Sequence, residues 1–260
     1  MNPYILIKLG GSAITDKSTP YSVREDVIKR LAKEIKKSEK ENLIIAHGSG
    51  SFGHTSASKY GGVKGYKSKI GIATVARDAN KINQLVMDVF ISEDLPTVSL
   101  SPRSLVISKN GMILKNQLEV IEEVLGQGLI PVVYGDIILD REWKTTIYSG
   151  ETILSEISNY LIKNNYKIEK IIEVGETNGI YDDKNKTIKK INTKNLDEVR
   201  KYFKDAGRND VTGGIEHKVE TSIEMTRKNI DTYIVNGLLA NELYNAIMGK
   251  PTKGTIISKL

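Results

Sequence analysis

Residues 4–12 have the sequence YILIKLGGS, a short apolar run that ends in Lys8, Leu9 and a pair of glycines. A run of this length and composition is typical of a β-strand buried on both faces of a parallel sheet. The glycines permit backbone angles that are closed to other residues, so successive N–H groups can point at a phosphate while Lys8 supplies positive charge. Glycine turns that bind nothing are also common after strands, and this segment alone leaves both interpretations open.

Short apolar runs alternate with longer amphipathic stretches along the rest of the chain, which is the pattern of βαβ units. This pattern predicts an α/β fold, a three-layer sandwich with a mostly parallel central sheet. Ser22 and Glu25 form a capping-box pattern that predicts the start of the first helix. We expect two closely packed lobes on one continuous sheet, residues 1–163 and 164–260. The predicted strands are 4–8, 43–47, 96–100, 130–134, 171–174 and 232–235.

The composition excludes several kinds of chemistry. The chain has no cysteine, which excludes disulfides, thiolate metal sites and cysteine nucleophiles, and its three histidines are too few for a histidine metal cage. A metal here would be bound by oxygen atoms, and we assign none of the residues to a metal site. The net charge of +6 is spread along the chain without a basic stripe, which argues against a nucleic-acid partner. No export signal and no apolar run of about 20 residues is recognised, so we expect a cytoplasmic protein without membrane insertion.

A second glycine-rich segment, HGSGSFGH at residues 47–54, follows the predicted strand 43–47. Ser49, Gly50 and Gly53 are poor core residues, but their backbone N–H groups suit an anion at the end of a strand, where open α/β sheets bind ligands. His54 closes the segment and is a candidate donor to a substrate phosphate. A single histidine is more often structural, and its position after a glycine loop favours ligand contact.

Four further segments carry candidate residues, each with a plain structural alternative. Asp136 ends the segment YGD, and Gly150 lies in SGE at the start of a predicted helix, where capping alone explains the sequence. The segment GETNGIY at 175–181 is a polar turn after a strand, and most such turns bind nothing. In DVTGGIEHK at 210–218, glycines lead into a helix whose Lys218 can reach a nucleotide phosphate or simply face solvent.

Taken together and in this order, these motifs resemble those of the amino acid kinase superfamily over nearly the whole chain. The glycine loop that ends in histidine is similar to that of the isopentenyl phosphate kinase branch and its fosfomycin kinase relatives. The resemblance implies ATP-dependent phosphorylation of isopentenyl phosphate, with Mg²⁺, by a homodimer. Two alternatives stay open: a kinase of the same fold acting on another small phosphate or phosphonate, and a catalytically silent nucleotide-binding sensor.

The resemblance also implies roles for individual residues. Residues 1–163 would bind the phosphate acceptor and transfer the phosphoryl group, and 164–260 would bind ATP. Lys8, Lys17, His54 and Asp136 would be catalytic, with Asp136 orienting the lysines. The implied nucleotide contacts are Lys8, Gly10, Gly11, Ser12, Gly50, Glu176, Gly179, Gly214 and Lys218. The implied acceptor contacts are Ser49, Gly50, Gly53, His54, Gly150 and, as the wall around its tail, Val75, Ile82 and Val86.

The chain departs from the family pattern at four of these positions. Ser49 stands where the family has a second glycine, and Glu151 and Glu176 stand where it has aspartates; Asn178 also replaces a common aspartate. Glutamate keeps the charge but moves it by one methylene. We expect such a shift to matter at a site where about 1 Å changes the alignment of the reacting groups.

Overall fold

The computed structural model describes residues 2–62, 65–66, 68–203 and 214–259. The strands are β1 (Tyr4–Leu9), β2 (Leu43–His47), β3 (Gly61–Gly62), β4 (Gly65–Tyr66), β5 (Thr97–Ser99), β6 (Val106–Lys109), β7 (Met112–Asn116), β8 (Ile130–Tyr134), β9 (Asp136–Asp140), β10 (Lys144–Tyr148), β11 (Ile168–Gly175), β12 (Lys190–Ile191), β13 (Asp231–Asn236) and β14 (Thr255–Ile257). The helices are α1 (Gly11–Ile14), α2 (Glu25–Lys37), α3 (Gly50–Tyr60), α4 (Lys69–Ser92), α5 (Pro102–Leu105), α6 (Glu119–Gly126), α7 (Gly150–Lys163), α8 (Leu196–Val199) with a 3₁₀ turn at Arg200–Tyr202, α9 (Gly214–Thr226) and α10 (Glu242–Ile247).

An eight-stranded sheet runs through the molecule in the order β12-β14-β13-β11-β1-β2-β8-β5. Its neighbouring strands are parallel except for β13 and β14, which are antiparallel. A smaller sheet, β10-β9-β6-β7, and the ribbon β3-β4 lie outside it. The predicted α/β class with a mostly parallel central sheet is confirmed.

Apolar side chains of the central strand β1 alternate between two cores. Ile5, Ile7 and Leu9 pack with residues of α2, α4 and α10, whereas Tyr4 and Leu6 pack with residues of α6 and α7. Each fully buried aliphatic side chain contributes about 1.5–3 kcal/mol relative to exposure, so both faces of the sheet favour the helical layers that cover them. This alternation produces the three layers of the sandwich.

The structure corrects two local predictions. The helix expected to begin at a Ser22 capping box begins at Glu25, with Arg24 as its N-cap and no side-chain cap; the Ser22 carbonyl instead accepts a hydrogen bond from Ser51 Oγ. The glycine-rich segment expected to be a loop forms α3 from Gly50 onward. Packing of this segment against α1 and α4 outweighs the low helix propensity of its glycines.

The division at residue 164 stays a prediction. Strand β1 is hydrogen-bonded on one side to β2 and on the other to β11, so the central sheet is continuous across that point.

Among the helices of the described residues, none is both long and apolar enough to cross a membrane.

Candidate active site

A cavity of about 530 Å³ opens at the carboxyl ends of β1, β2, β8 and β11. In a parallel sheet these ends meet at one edge, which is where open α/β folds bind their ligands. Most of the candidate residues from the sequence come together here. Those that line the cavity are Lys8, Gly10, Gly11, Ser12, Lys17, Ser49, Gly50, Gly53, His54, Val75, Asp136, Gly150 and Lys218.

Glycines let the backbones around this cavity approach one another closely. A Cβ added at Gly11 would lie 2.7 Å from the backbone N and Cα of Gly50, and one added at Gly150 would lie 2.7 Å from the carbonyl oxygen of His47. Gly50 also has a φ of +50°, which few side chains tolerate. These contacts bring the N-termini of α3 and α7 to the cavity, where the helix dipoles favour an anion. In α3 the N–H groups of Ser51 and Gly53 already donate to Thr15 Oγ1 and to the Ser49 carbonyl oxygen.

Ser49 occupies the position where the family has glycine. Its Oγ lies where a side chain at Gly53 would have to be, since a Cβ added there would approach that oxygen to 2.1 Å. Gly53, one turn along α3, has no side chain, and this leaves the space that the side chain of Ser49 fills.

Two lysines and two glutamates meet at the inner end of the cavity. Lys8, on β1, is 5% exposed and forms an ion pair with Glu151 at the start of α7. Glu173, on the neighbouring strand β11, places Oε2 3.7 Å from Lys8 Nζ and 3.8 Å from the Nζ of Lys218 on α9. Burial alone would lower the pKa of Lys8, but the two carboxylates outweigh burial and raise it. Lys8 is therefore a fixed positive charge at the inner end of the cavity.

Glu151 is in turn kept ionised by the lysines. Burial would raise the pKa of its carboxyl, but Lys8 and, more weakly, Lys218 outweigh burial and lower it. The sequence indicates only that Glu151 lies at the start of a helix and stands where the family has an aspartate. The structure makes it the carboxylate that holds Lys8.

The structure pairs Asp136 with an arginine, and its role in orienting the lysines stays a prediction. Its carboxyl, which is fully buried, accepts hydrogen bonds of 2.7 and 2.6 Å from Arg103 Nη1. Arg103 donates a further bond of 2.6 Å to Asn80 Oδ1 on α4. Burial raises the pKa of Asp136 to about 6, although Arg103 opposes the shift. Asp136 thus lines the cavity in a separate pair with an arginine that the sequence analysis did not single out.

Lys17 and His54 lie at the outer part of the cavity. Lys17 follows α1 and is exposed, next to a turn in which Asp16 Oδ1 accepts hydrogen bonds from the backbone N and the Oγ of Ser18. His54, on α3, is also exposed. Both positions allow contact with a ligand that enters from solvent, and their catalytic roles stay predictions.

The opposite end of the cavity is apolar. Val75 and Ala79 of α4 face it together with Ala57, Tyr66 and three residues of the small sheet, Ile137, Ile147 and Tyr148. Tyr66, Val75 and Ile137 also pack against one another. Ala79 could have been found from the sequence, since it continues the helical stripe of Val75.

Ile82 and Val86, predicted as part of the acceptor wall, are not among the residues that line the cavity. Both are fully buried in the core beneath it, among residues of α2 and the central sheet. The apolar stripe of α4 begins at the cavity with Val75 and continues into this core. Helical periodicity identifies the stripe but not the point where the cavity ends.

Three predicted nucleotide contacts also lie apart from the described cavity wall. Glu176 is exposed in the turn after β11. Gly179 has a φ of +84° and packs against Thr255, whose Oγ1 accepts a hydrogen bond from the Ile180 backbone N. Gly214 is the first residue of α9, and the preceding segment of its motif, residues 210–213, lies outside the described residues. Their contact with a nucleotide stays a prediction.

A parallel sheet whose carboxyl edge carries glycine turns, helix N-termini and lysines defines the class of α/β proteins that bind phosphate-bearing ligands. Within that class, the chain belongs to the amino acid kinase family, whose family model matches residues 3–236.

Individual relatives extend over the full length of the chain. An isopentenyl phosphate kinase of Methanocaldococcus jannaschii is 34% identical, over 97% of both chains. A solved structure of isopentenyl phosphate kinase superposes with a TM-score of 0.80 at 26% identity and covers 98% of this chain and 100% of that one. A structure of an isopentenyl phosphate kinase substrate complex gives a TM-score of 0.76 at 26% identity, over 97% and 99% of the two chains.

Proposed function

We propose that the protein transfers the γ-phosphoryl group of ATP to isopentenyl phosphate and forms isopentenyl diphosphate and ADP. The observation that carries this proposal is the two-ended cavity: lysines and helix N-termini at one end and an apolar wall at the other. The 34% identity with an isopentenyl phosphate kinase over nearly the whole chain supports the same acceptor. A phosphate monoester with a short branched hydrocarbon tail matches both ends at once.

The charged end suits phosphoryl transfer because this reaction requires alignment and positive charge more than covalent chemistry by the protein. An oxygen of the acceptor phosphate attacks the γ-phosphorus, and the bond to the bridging oxygen of ADP breaks. Lys8 and Lys218 lie where they can balance the negative charge that spreads over the transferred group, and Glu151 keeps Lys8 in place. Lys17 would approach the same group from the outer side.

The acceptor phosphate is already an anion at neutral pH, so the reaction needs no strong general base. The start of α3, at Ser49 and Gly50, would bind this phosphate through backbone N–H groups with Gly53 beside it, and His54 would donate a further hydrogen bond. The tail would then lie against Val75 and Ala79. In this arrangement the helix places the attacking oxygen between the two ends of the cavity.

Mg²⁺ enters this scheme as MgATP, part of the donor substrate. Among the described residues there is no cluster of three or more acidic or histidine side chains that could hold a metal. The carboxylates that line the cavity are each paired with a cation, Glu151 with Lys8 and Asp136 with Arg103. Mg²⁺ prefers few carboxylates plus substrate phosphates and water, which is compatible with this arrangement.

The proposal is tested by steady-state ADP release with MgATP and a panel of acceptors: isopentenyl phosphate, dimethylallyl phosphate, geranyl phosphate, fosfomycin and UMP. We expect a clear preference for isopentenyl phosphate in kcat/KM. Preference for fosfomycin or another acceptor would keep the phosphoryl transfer and replace the substrate. Measurable ATP binding without turnover on any of these acceptors would refute the proposed reaction and favour a nucleotide sensor or an acceptor outside the panel.

We further infer from the family resemblance that the protein acts in the cytoplasm as a homodimer. Light scattering coupled to gel filtration gives the mass in solution, which we expect to be twice the mass of the 260-residue chain. A single-chain mass at the concentration of the assay would contradict the homodimer.

A further inference from the structure

Glu173 is a buried carboxylate that no motif of the sequence singled out. It is paired in register with Lys8 across β11 and β1, and it is 8% exposed. Its Oε2 lies within 4 Å of both Lys8 Nζ and Lys218 Nζ. Lys8 comes from the central strand and Lys218 from α9, so Glu173 links the two lysines that approach the phosphates from different parts of the chain.

The contacts of the Glu173 carboxylate do not stabilise the folded protein efficiently. Distances of 3.7 and 3.8 Å are too long for hydrogen bonds, and within the described part of the chain no group donates one to Oε2. A buried carboxylate oxygen without a hydrogen bond costs the folded state more than an apolar side chain at the same place would. The neighbours Ile172 and Val174 are buried and apolar, as a two-sided buried strand requires, and Glu173 breaks that pattern. Positions that break a local rule in this way are typical of functional sites.

The charge of Glu173 has a second effect besides holding the lysines. Lys8 and Lys218 carry two positive charges, and Glu151 and Glu173 carry two negative ones, so the inner end of the cavity is balanced before a nucleotide binds. A carboxylate next to the phosphate-binding ammonium groups repels the phosphates themselves. Glu173 therefore limits the binding of the nucleotide while it fixes the groups that act in the transition state.

We propose that Glu173 is a positioning residue that holds Lys8 and Lys218 in their reactive placement and at the same time weakens the ground-state binding of ATP and ADP. The proposal rests on the proposed phosphoryl transfer and deepens it. Interactions that favour the transition state over the bound substrate raise kcat, and a residue of this kind exchanges nucleotide affinity for turnover.

Glu173→Gln tests this directly, because the amide keeps the shape of the side chain and removes its charge. We expect ATP and ADP to bind about tenfold more tightly, as loss of one nearby like charge implies. We expect kcat to fall roughly 10- to 100-fold, because Lys218 loses the carboxylate that fixes it and Lys8 keeps only Glu151. Calorimetric titration with ADP and with a non-hydrolysable ATP analogue gives the affinities, and ADP release with isopentenyl phosphate gives kcat.

Glu169→Gln is the matched control on the same strand. Glu169 is exposed, pairs with Lys170 and does not line the cavity, so both affinity and kcat should stay at the parent values. Glu173→Asp keeps the charge one methylene shorter. It should retain the nucleotide affinity of the parent and lose turnover, and it serves as the second test where the glutamine variant fails to fold.

The affinity measurement separates failure of this inference from failure of the proposed function. Absence of turnover by the parent protein refutes the proposed reaction, and tighter nucleotide binding by Glu173→Gln would still support the charge effect. Equal or weaker nucleotide binding by a folded Glu173→Gln variant overturns the inference, whatever its kcat. Unchanged kcat in that variant also overturns it.

Discussion

Replacing Asp136 by asparagine should make the stability of the protein less dependent on pH. Burial raises the pKa of the Asp136 carboxyl to about 6 from its ordinary value of 3.8, against the opposing effect of Arg103. The folded state therefore holds the proton more tightly than the unfolded state, and this group's contribution to stability is present below about pH 4 and is lost as the pH rises through about 6. The shift corresponds to about 3 kcal/mol, of which about 2 kcal/mol is lost between roughly pH 4.5 and 7.5.

Urea unfolding of the parent and of Asp136→Asn across this pH range measures the effect. Asparagine gives Arg103 a neutral amide in place of a carboxyl that is itself neutral at the acidic end, so the cost of the exchange is a constant that does not depend on pH. Between about pH 4.5 and 7.5, the free energy of unfolding of the variant should nevertheless rise by about 2 kcal/mol relative to that of the parent. Combining the change with Arg103→Met removes the constant offset where the single variant is too unstable to measure.

Asp140, at the other end of β9, provides the control. Burial would raise the pKa of its carboxyl, but hydrogen bonds from the backbone of Trp143 and Gly111 and from Ser108 outweigh burial and lower it. Its contribution is lost only as the pH falls below the ordinary range of aspartate, so Asp140→Asn should be destabilised by a nearly constant amount from about pH 4.5 to 7.5. If the difference in free energy of unfolding between the parent and Asp136→Asn does not change with pH, the pKa of Asp136 is not raised.

Three further predictions concern the cavity. Gly11→Ala should lower kcat/KM about 100-fold, because its Cβ would push α1 away from the backbone of α3 and disturb the alignment of the reacting groups. Gly126→Ala, at a position with open space around it, should leave kcat/KM unchanged in the same assay. Ala79→Leu should raise KM for isopentenyl phosphate at least about tenfold by filling the apolar end, without changing KM for MgATP, whereas the exposed Ala73→Leu on the same helix should change neither. His54→Ala should cripple use of the acceptor and leave calorimetric ATP binding largely intact, and equal loss of both would contradict its role at the acceptor phosphate.

The sheet was predictable because its strands are local apolar runs. The predicted limits 43–47 and 130–134 coincide with β2 and β8, and the clustering of Lys8, Gly50 and Gly150 followed from their positions after strands or at helix starts. Parallel strands gather such positions at one edge whatever the strand order is. The sequence therefore indicated which segments meet at the cavity.

The partners of the lysines were not predictable in the same way. That Lys8 lies beside Glu173 depends on β11 being the neighbour of β1, and no local pattern records strand order. By its position after a strand, Asp136 is an equally good candidate for the partner of the lysines. Only the structure shows that its carboxylate pairs with Arg103 instead. Glu173 itself lies within a run that the sequence assigns to the sheet core.

The pairing of β1 with β11 has a consequence for how the site is made. Tyr4 and Ile168 are partners, so the strand that carries Lys8 cannot complete its hydrogen bonds until a segment far along the chain has been synthesised and folded. Contacts of such high sequence separation slow folding, and the order of synthesis leaves the edge of β1 open in the meantime. A nascent chain that ends soon after the glycine-rich segment 47–54 contains Lys8 but neither Glu151 nor Glu173, so this ammonium group has no carboxylate partner until later segments have been made.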